Sequence, residues 1–268
     1  MRLFYQSLGV TRRSESGPYA RALSAILSGA AAPGTEVAVH GLSPGKAIAD
    51  QYRYLEFLDT GEILDNGLRA EREGYDAFVI GNIFEPGLHA LREVLTIPVL
   101  GLCEASVFLA CLMGTSFTVV NVNPKFTRRV SENIAGYGLA GRLASIEQMT
   151  VERPAVFDRA FEDDALRAEV IGQFSAAARR GLEKGAEIVI PAGGIVMTLL
   201  ATAGVHAVDR APVVNGLIAL VKVGELAVSL KRLTGHFTSK QLTYAPPTGA
   251  LLDDVRRSYG DHVYPGAG

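Results

Sequence analysis

The stretch 74–110, GYDAFVIGNIFEPGLHALREVLTIPVLGLCEASVFLA, decides the fold. Two short apolar runs, 76–80 and 97–102, each break into a polar turn that opens a helical pattern, so a β-turn-α unit is written twice in succession. In open α/β sheets ligands sit at the carboxyl ends of the parallel strands, which makes the turns 81–85 and 103–106 the first places to look for chemistry. A third turn of the same kind, Pro191-Ala192-Gly193-Gly194, follows the apolar run 187–190.

The same alternation extends in both directions. Strand-like runs at 2–8, 36–40, 116–122, 142–148 and 212–214 are separated by helical patterns at 19–27, 62–73, 125–134, 163–184, 196–203 and 216–230. Strands and helices that alternate throughout predict an α/β protein built on parallel sheets. The pattern recurs once before and once after Thr115, which predicts two lobes with a cleft between them. Residues 1–114 with 213–232 form lobe one in this reading and residues 115–212 form lobe two. From residue 233 onward turn-formers and scattered aromatics predict an extended tail, 233–268, placed to grip a neighbouring molecule.

Composition narrows the function classes. A chain of 268 residues, 48% hydrophobic and 20% charged, can bury a sizeable core. The formal net charge of -2, with no block of Lys and Arg, argues against a nucleic-acid or anionic-membrane partner. No run reaches the ~18 apolar residues that a membrane span requires, and no targeting pattern opens the chain, so a cytoplasmic location is expected. Cys103 and Cys111 are the only cysteines, too few for a disulfide framework or a structural zinc site. No His, Cys, Asp and Glu cluster has metal-ligand spacing, so no metal is expected. The run Gly136-Tyr137-Gly138-Leu139-Ala140-Gly141 satisfies GxGxxG, but it follows a helix and leads into a strand, the reverse of a dinucleotide site; the Gly-Lys pair in 41–46 lacks a phosphate loop's spacing.

The strand-end turns supply the candidate site residues. Cys103 is either a thiolate activated by the start of a helix or a small packing residue. Glu104 beside it can act as an acid or base, or simply interact with the helix dipole. Asn82 cannot transfer protons at neutral pH, but its amide can donate to a substrate oxygen; with the amides of Gly193 and Gly194 it would form a pocket for a carboxylate or a developing oxyanion. Gln6, Ser7, Asn121 and Asn215 also stand at strand ends, each as a ligand contact or a helix cap. His40 ends a strand as a base or as a surface or capping residue.

These residues carry a resemblance. Residues 76–81, the Glu85-Pro86-Gly87-Leu88 turn, Ile97-Pro98-Val99-Leu100-Gly101 with Glu104-Ala105, residues 185–190 and Val213-Val214-Asn215-Gly216 resemble the aspartate/glutamate/hydantoin racemase superfamily, above all its hydantoin-racemase-like branch. The resemblance implies two pseudo-symmetric α/β lobes, an active site in the cleft between them, and chemistry without a cofactor. It also implies one cysteine from each lobe acting on opposite faces of a carbon acid. In this chain those two positions fall on Asn82 and Gly193, and neither turn contains a thiol. The expected activity is a racemase-like isomerisation of a small carboxylate or cyclic amide. The alternatives are a lyase, decarboxylase or hydrolase built on the same cleft, or a small-molecule-binding protein without catalysis. The apolar helices and the tail lead us to expect a homo-oligomer.

Overall fold

The computed structural model describes residues 1–11, 14–43, 52–150 and 155–267. Much of the loop 41–59 expected to set specificity, residues 44–51, therefore lies outside the described residues, as do residues 12 and 13 of the loop 9–18. Lobe one is a parallel sheet in which β1 (Arg2–Thr11) lies between β2 (Glu36–Leu42) and β3 (Ala77–Ile80), with β4 (Val99–Gly101) beyond β3. Lobe two repeats the plan with β5 (Phe117–Asn121) between β6 (Leu143–Gln148) and β7 (Ile188–Pro191), again parallel. In both sheets the first strand sits between the next strand and a later one, so chain connections leave its two sides in opposite directions. That is a topological switch point, at the carboxyl ends of β1 and β3 in one lobe and of β5 and β7 in the other.

Side-chain alternation places the core. Leu3, Tyr5, Ala77 and Val79 face one way and join Phe117, Val119, Ile188 and Ile190 of the other sheet in a continuous apolar layer. The intervening Phe4, Phe78, Ile80 and Val99 face α2 (Arg53–Arg72) and α3 (Leu88–Val94). Val120 and Val189 face α7 (Asp164–Glu183) and α8 (Gly194–Thr202). The helices α1 (Pro18–Ala30), α4 (Leu102–Met113) and α9 (Gly216–Thr234) fill the layer between the sheets, and α5 (Pro124–Gly136) joins β5 to β6. A short helix α6 (Ala155–Arg159) precedes α7.

The structure corrects three expectations. The 212–214 strand is a two-residue ladder, β9 (Ala211–Pro212), antiparallel to β8 (Ala207–Val208), and Val213 only bridges Val189. The helix expected over 62–73 begins earlier, at Arg53, and takes in Tyr54 and Phe57 in its first turns. The tail is not extended: it carries α10 (Gly249–Tyr259) and folds back on its own lobe one. There Lys240 Nζ donates to the carbonyls of Arg92, Glu93 and Leu95, and Tyr264 donates to Glu93. The apolar residues of α10, Leu251, Leu252 and Val255, recur at helical spacing, yet Leu252 is its single buried side chain. No helix of the described residues is long and apolar enough to cross a membrane.

Candidate active site

The turn after β3 stands at the switch point of lobe one. Asn82 is buried and turns its Oδ1 onto the Phe84 N–H at 2.8 Å, while Glu85 N–H returns to Asn82 O at 3.2 Å. Glu85 has φ 56°, the left-handed region, which costs a non-glycine residue about 1–2 kcal/mol. Its carboxyl is driven inward. One oxygen accepts the Glu104 N–H at 2.8 Å in the first turn of α4, and the other accepts the hydroxyl of Tyr137, which follows α5. Gly101 makes room for this carboxyl: a Cβ there would lie 1.9 Å from Glu85 Oε1. Burial pushes the Glu85 carboxyl up to about 7, against the downward pull of its two hydrogen bonds.

Cys103 and Glu104 begin α4 and do not close the strand, because the helix already starts at Leu102. The Cys103 side chain is buried, and burial, followed by Glu85 and Glu104, pushes its thiol well above the ordinary range. Burial first, then the two neighbouring carboxyl groups, oppose the activation that a helix start gives a thiol. Glu104 forms a largely buried ion pair with Arg92 at 2.5 Å, and Arg92 also donates to Val99 O. Cys111 lies two turns along the same helix, partly buried.

The turn after β7 belongs to lobe two. Gly193 is the N-cap of α8 with φ 124°, a conformation that favours glycine, and no side chain caps this helix start. The two turns meet directly. A Cβ on Gly194 would sit 3.8 Å from Gly81 O and 3.1 Å from the hydroxyl of Tyr19. A Cβ on Gly81 would overlap the Tyr5 ring tip at 2.1 Å, and Tyr5 OH stands 3.5 Å from Gly81 O. Two phenols are thus threaded between the switch points of the two lobes. Burial, then the neighbouring Tyr19, pushes the Tyr5 hydroxyl far up, so it stays protonated. Further contacts cross from lobe to lobe: Asn133 donates to Ile83 O, Phe84 meets Phe126 edge-on, and Arg129 lies 3.7 Å over the Phe84 ring while pairing with Glu56.

Among the other candidates, Gln6, Ser7 and His40 are engaged within lobe one, whereas Asn215 reaches across to lobe two. Gln6 accepts from Asn66 at 2.8 Å and donates to Ser7 O and His40 O; Ser7 Oγ accepts the Val10 N–H. His40 is stacked on Phe4 at 3.8 Å with its ring nitrogens against Tyr75 and Arg69, and burial, then Arg69, lowers its pKa. Asn215 caps α9 and donates to Met197 O. Asn121, at the end of β5, donates to Thr127 Oγ1, and its Oδ1 has no hydrogen-bond partner among the described residues. The structure thus brings Gly194 against the carbonyl of Gly81, the residue before Asn82, and sets Cys103 beside Glu104; it shows no contact of Asn82 with Gly193 or Gly194 among the described residues. Tyr5, Tyr19, Glu85 and Tyr137 were not legible as site residues, because only the packing of distant elements makes them neighbours. No three His, Cys, Asp or Glu side chains among the described residues converge as metal ligands.

Two parallel α/β lobes whose switch points meet at one junction define the architecture, and comparison with known proteins gives the family. The profile of the Asp/Glu/Hydantoin racemase family matches residues 16–223, more than half of the chain. The chain is 32% identical over 218 residues to a hydantoin racemase of Pseudomonas sp. (strain NS671), covering 81% of this chain and 82% of that one. It is 32% identical over 186 residues to a hydantoin racemase of Rhizobium meliloti, covering 67% and 69%. Its fold matches that of an allantoin racemase from Klebsiella pneumoniae with a TM-score of 0.76 at 25% identity, over 93% and 94% of the two chains. The chain belongs to the Asp/Glu/hydantoin racemase family and is an isomerase-like enzyme.

Proposed function

We propose that this enzyme ionises the acidic C–H of a small hydantoin-type cyclic amide and exchanges it with solvent, with inversion following more slowly when the carbanion is released and protonated on its other face, without a cofactor and without a pair of catalytic thiols. The observation that carries this reading is the junction of the two switch-point turns, where Gly194 at the start of α8 packs against the carbonyl of Gly81, the residue before Asn82. Amide donors fixed there suit a carbonyl oxygen that gains charge when the neighbouring carbon loses its proton. Glu85 is the proton acceptor in this reading. Its carboxyl changes charge near neutral pH, whereas the buried Cys103 thiol stays protonated and Glu104 is tied to Arg92. The Glu85–Tyr137 hydrogen bond joins the two lobes at this carboxyl.

A second reading, a lyase, decarboxylase or hydrolase on the same cleft, draws on the protonated state of Cys103: a site rich in oxygen-binding groups but without a thiolate pair suits reactions that need no proton transfer on two faces. Proton NMR in D2O with 5-substituted hydantoins separates the two. The isomerase reading predicts loss of the ring C–H signal with the ring intact. A single carboxyl returns the proton to the face it left, so exchange is expected to run ahead of the loss of optical rotation. Consumption of the ring without exchange supports the second reading instead.

A further inference from the structure

We propose that Arg92 is a positioning residue of this site and that the folded-back tail keeps it in place: Arg92 balances the charge of Glu104 beside Glu85, and Tyr244 of the tail holds the guanidinium. The proposal rests on the reading of Glu85 as the proton acceptor. A carboxyl can accept a proton only after it has lost its own, and a second carboxylate close by opposes that loss. A cation held on the second carboxylate removes the opposition.

The contacts run from the tail to the site in an unbroken series. α3 has seven residues, too few to hold its shape by helical propensity, so what packs on it decides where its side chains stand. Leu88 and Leu91 are buried in lobe one, and the tail covers another side of the helix. There Tyr244 stacks on His89, with ring centroids 6.0 Å apart and planes 12° from parallel, and its hydroxyl meets His89 Nδ1 at 2.8 Å. His89 and Arg92 stand three residues apart on one face of α3, and Arg92 donates to the same Tyr244 oxygen. Lys240 donates to the carbonyls of Arg92, Glu93 and Leu95 at the end of the helix, and Tyr264 donates to Glu93 at 2.6 Å. So placed, Arg92 reaches Val99 O through Nε at 3.0 Å and Glu104 through Nη2 at 2.5 Å. The pair is shielded from water, with the two side chains 13% and 19% exposed. Glu104 in turn gives its N–H to Glu85 at 2.8 Å. The charged and titratable groups that face Glu85 are Glu104 and Cys103 from α4, Arg92 from α3 and Tyr137 after α5; of these only Arg92 is a cation.

The test reads Glu85 itself, by carbon-13 NMR of protein labelled at its glutamate carboxyls, the signal being assigned by its loss in Glu85→Gln. Hydantoin exchange in D2O is followed over the same pH range. Arg92→Met is expected to move the Glu85 titration up by about one unit or more, and the pH profile of exchange with it. Arg92→Lys keeps the cation and is expected to move both by less. Adding Glu104→Gln to Arg92→Met removes the unbalanced charge and is expected to bring the titration back toward the parent, which a mere packing role for Arg92 would not do. Tyr244→Phe keeps the ring on His89 and removes only the oxygen; a smaller upward shift is expected, and this variant carries the test should Arg92→Met not fold. An unmoved titration in Arg92→Met, or a double variant no closer to the parent, overturns the role of Arg92 and leaves the isomerase reading standing. An unmoved titration in Tyr244→Phe overturns the part given to the tail. A titration that moves while exchange does not follow, or an unaltered protein that exchanges no hydantoin, overturns Glu85 as the acceptor and with it the place of Arg92 in catalysis.

Discussion

At the scale of single residues, the fate of one carboxyl sets most of what can be measured. Glu85 loses its proton near 4.5 in the unfolded chain and near 7 in the folded one, because burial outweighs its hydrogen bonds. The folded protein therefore holds the extra proton between these values, and stability falls as pH rises through that window. Above pH 7 the penalty amounts to about 3 kcal/mol. Glu85→Gln is expected to flatten the pH dependence of thermal stability between pH 5 and pH 8 and to abolish hydantoin exchange. An unchanged pH profile would show that the group is not buried as charge. Gly101→Ala places a methyl where Glu85 Oε1 now lies, and the carboxyl must leave its two donors. A loss of about 1–3 kcal/mol in denaturant unfolding is expected; a stability equal to the parent would contradict the packing described. Neither effect was legible in the sequence. Glu85 stood in view within a turn motif, but its burial depends on Tyr137, 52 residues away, and on a glycine whose function is to be absent.

At the scale of elements, strand and helix positions followed from apolar periodicity, and the shifts that occurred have local causes. The apolar run 97–102 reads as one strand, yet Leu102 already begins α4, because Gly101 is extended and Cys103 and Glu104 fit a first helical turn. α10 buries only Leu252 although its apolar residues recur at helical spacing, and what anchors the tail is polar. Lys240 satisfies three carbonyls at the end of α3, the helix that carries Arg92 and so holds Glu104. Lys240→Ala is expected to cost about 1–3 kcal/mol and to accelerate hydrogen exchange at the last turn of α3 and in the tail. Unchanged exchange in both would mean that the tail docks by other contacts.

At the scale of the whole molecule, two sheets share one apolar layer, and the contacts above it are chiefly polar and aromatic. The Glu56–Arg129 pair is largely buried, and it joins the first turns of α2 to α5 over Phe84. Removal of one partner from a buried pair leaves a charge uncompensated, at a cost of about 3 kcal/mol. Arg129→Met is expected to destabilise by that order in urea unfolding, with part of the loss restored in combination with Glu56→Gln; additive losses would show that the pair is not coupled. The two-lobe plan was readable because the β-turn-α unit repeats on either side of Thr115. The meeting of Gly81 with Gly194, and the phenols between them, was not, since no local pattern records which turns of two sheets come together.

The central claim is that this junction ionises a carbon acid without a pair of thiols, and one measurement bears on it most directly. Purified enzyme in D2O is followed by proton NMR on a 5-substituted hydantoin of known configuration, against a buffer control at the same pH. The account predicts that the ring C–H signal disappears with the ring intact, faster than optical rotation decays. A hydantoin consumed with its C–H signal retained in the remaining substrate, or a C–H signal that decays no faster than in buffer, would contradict it.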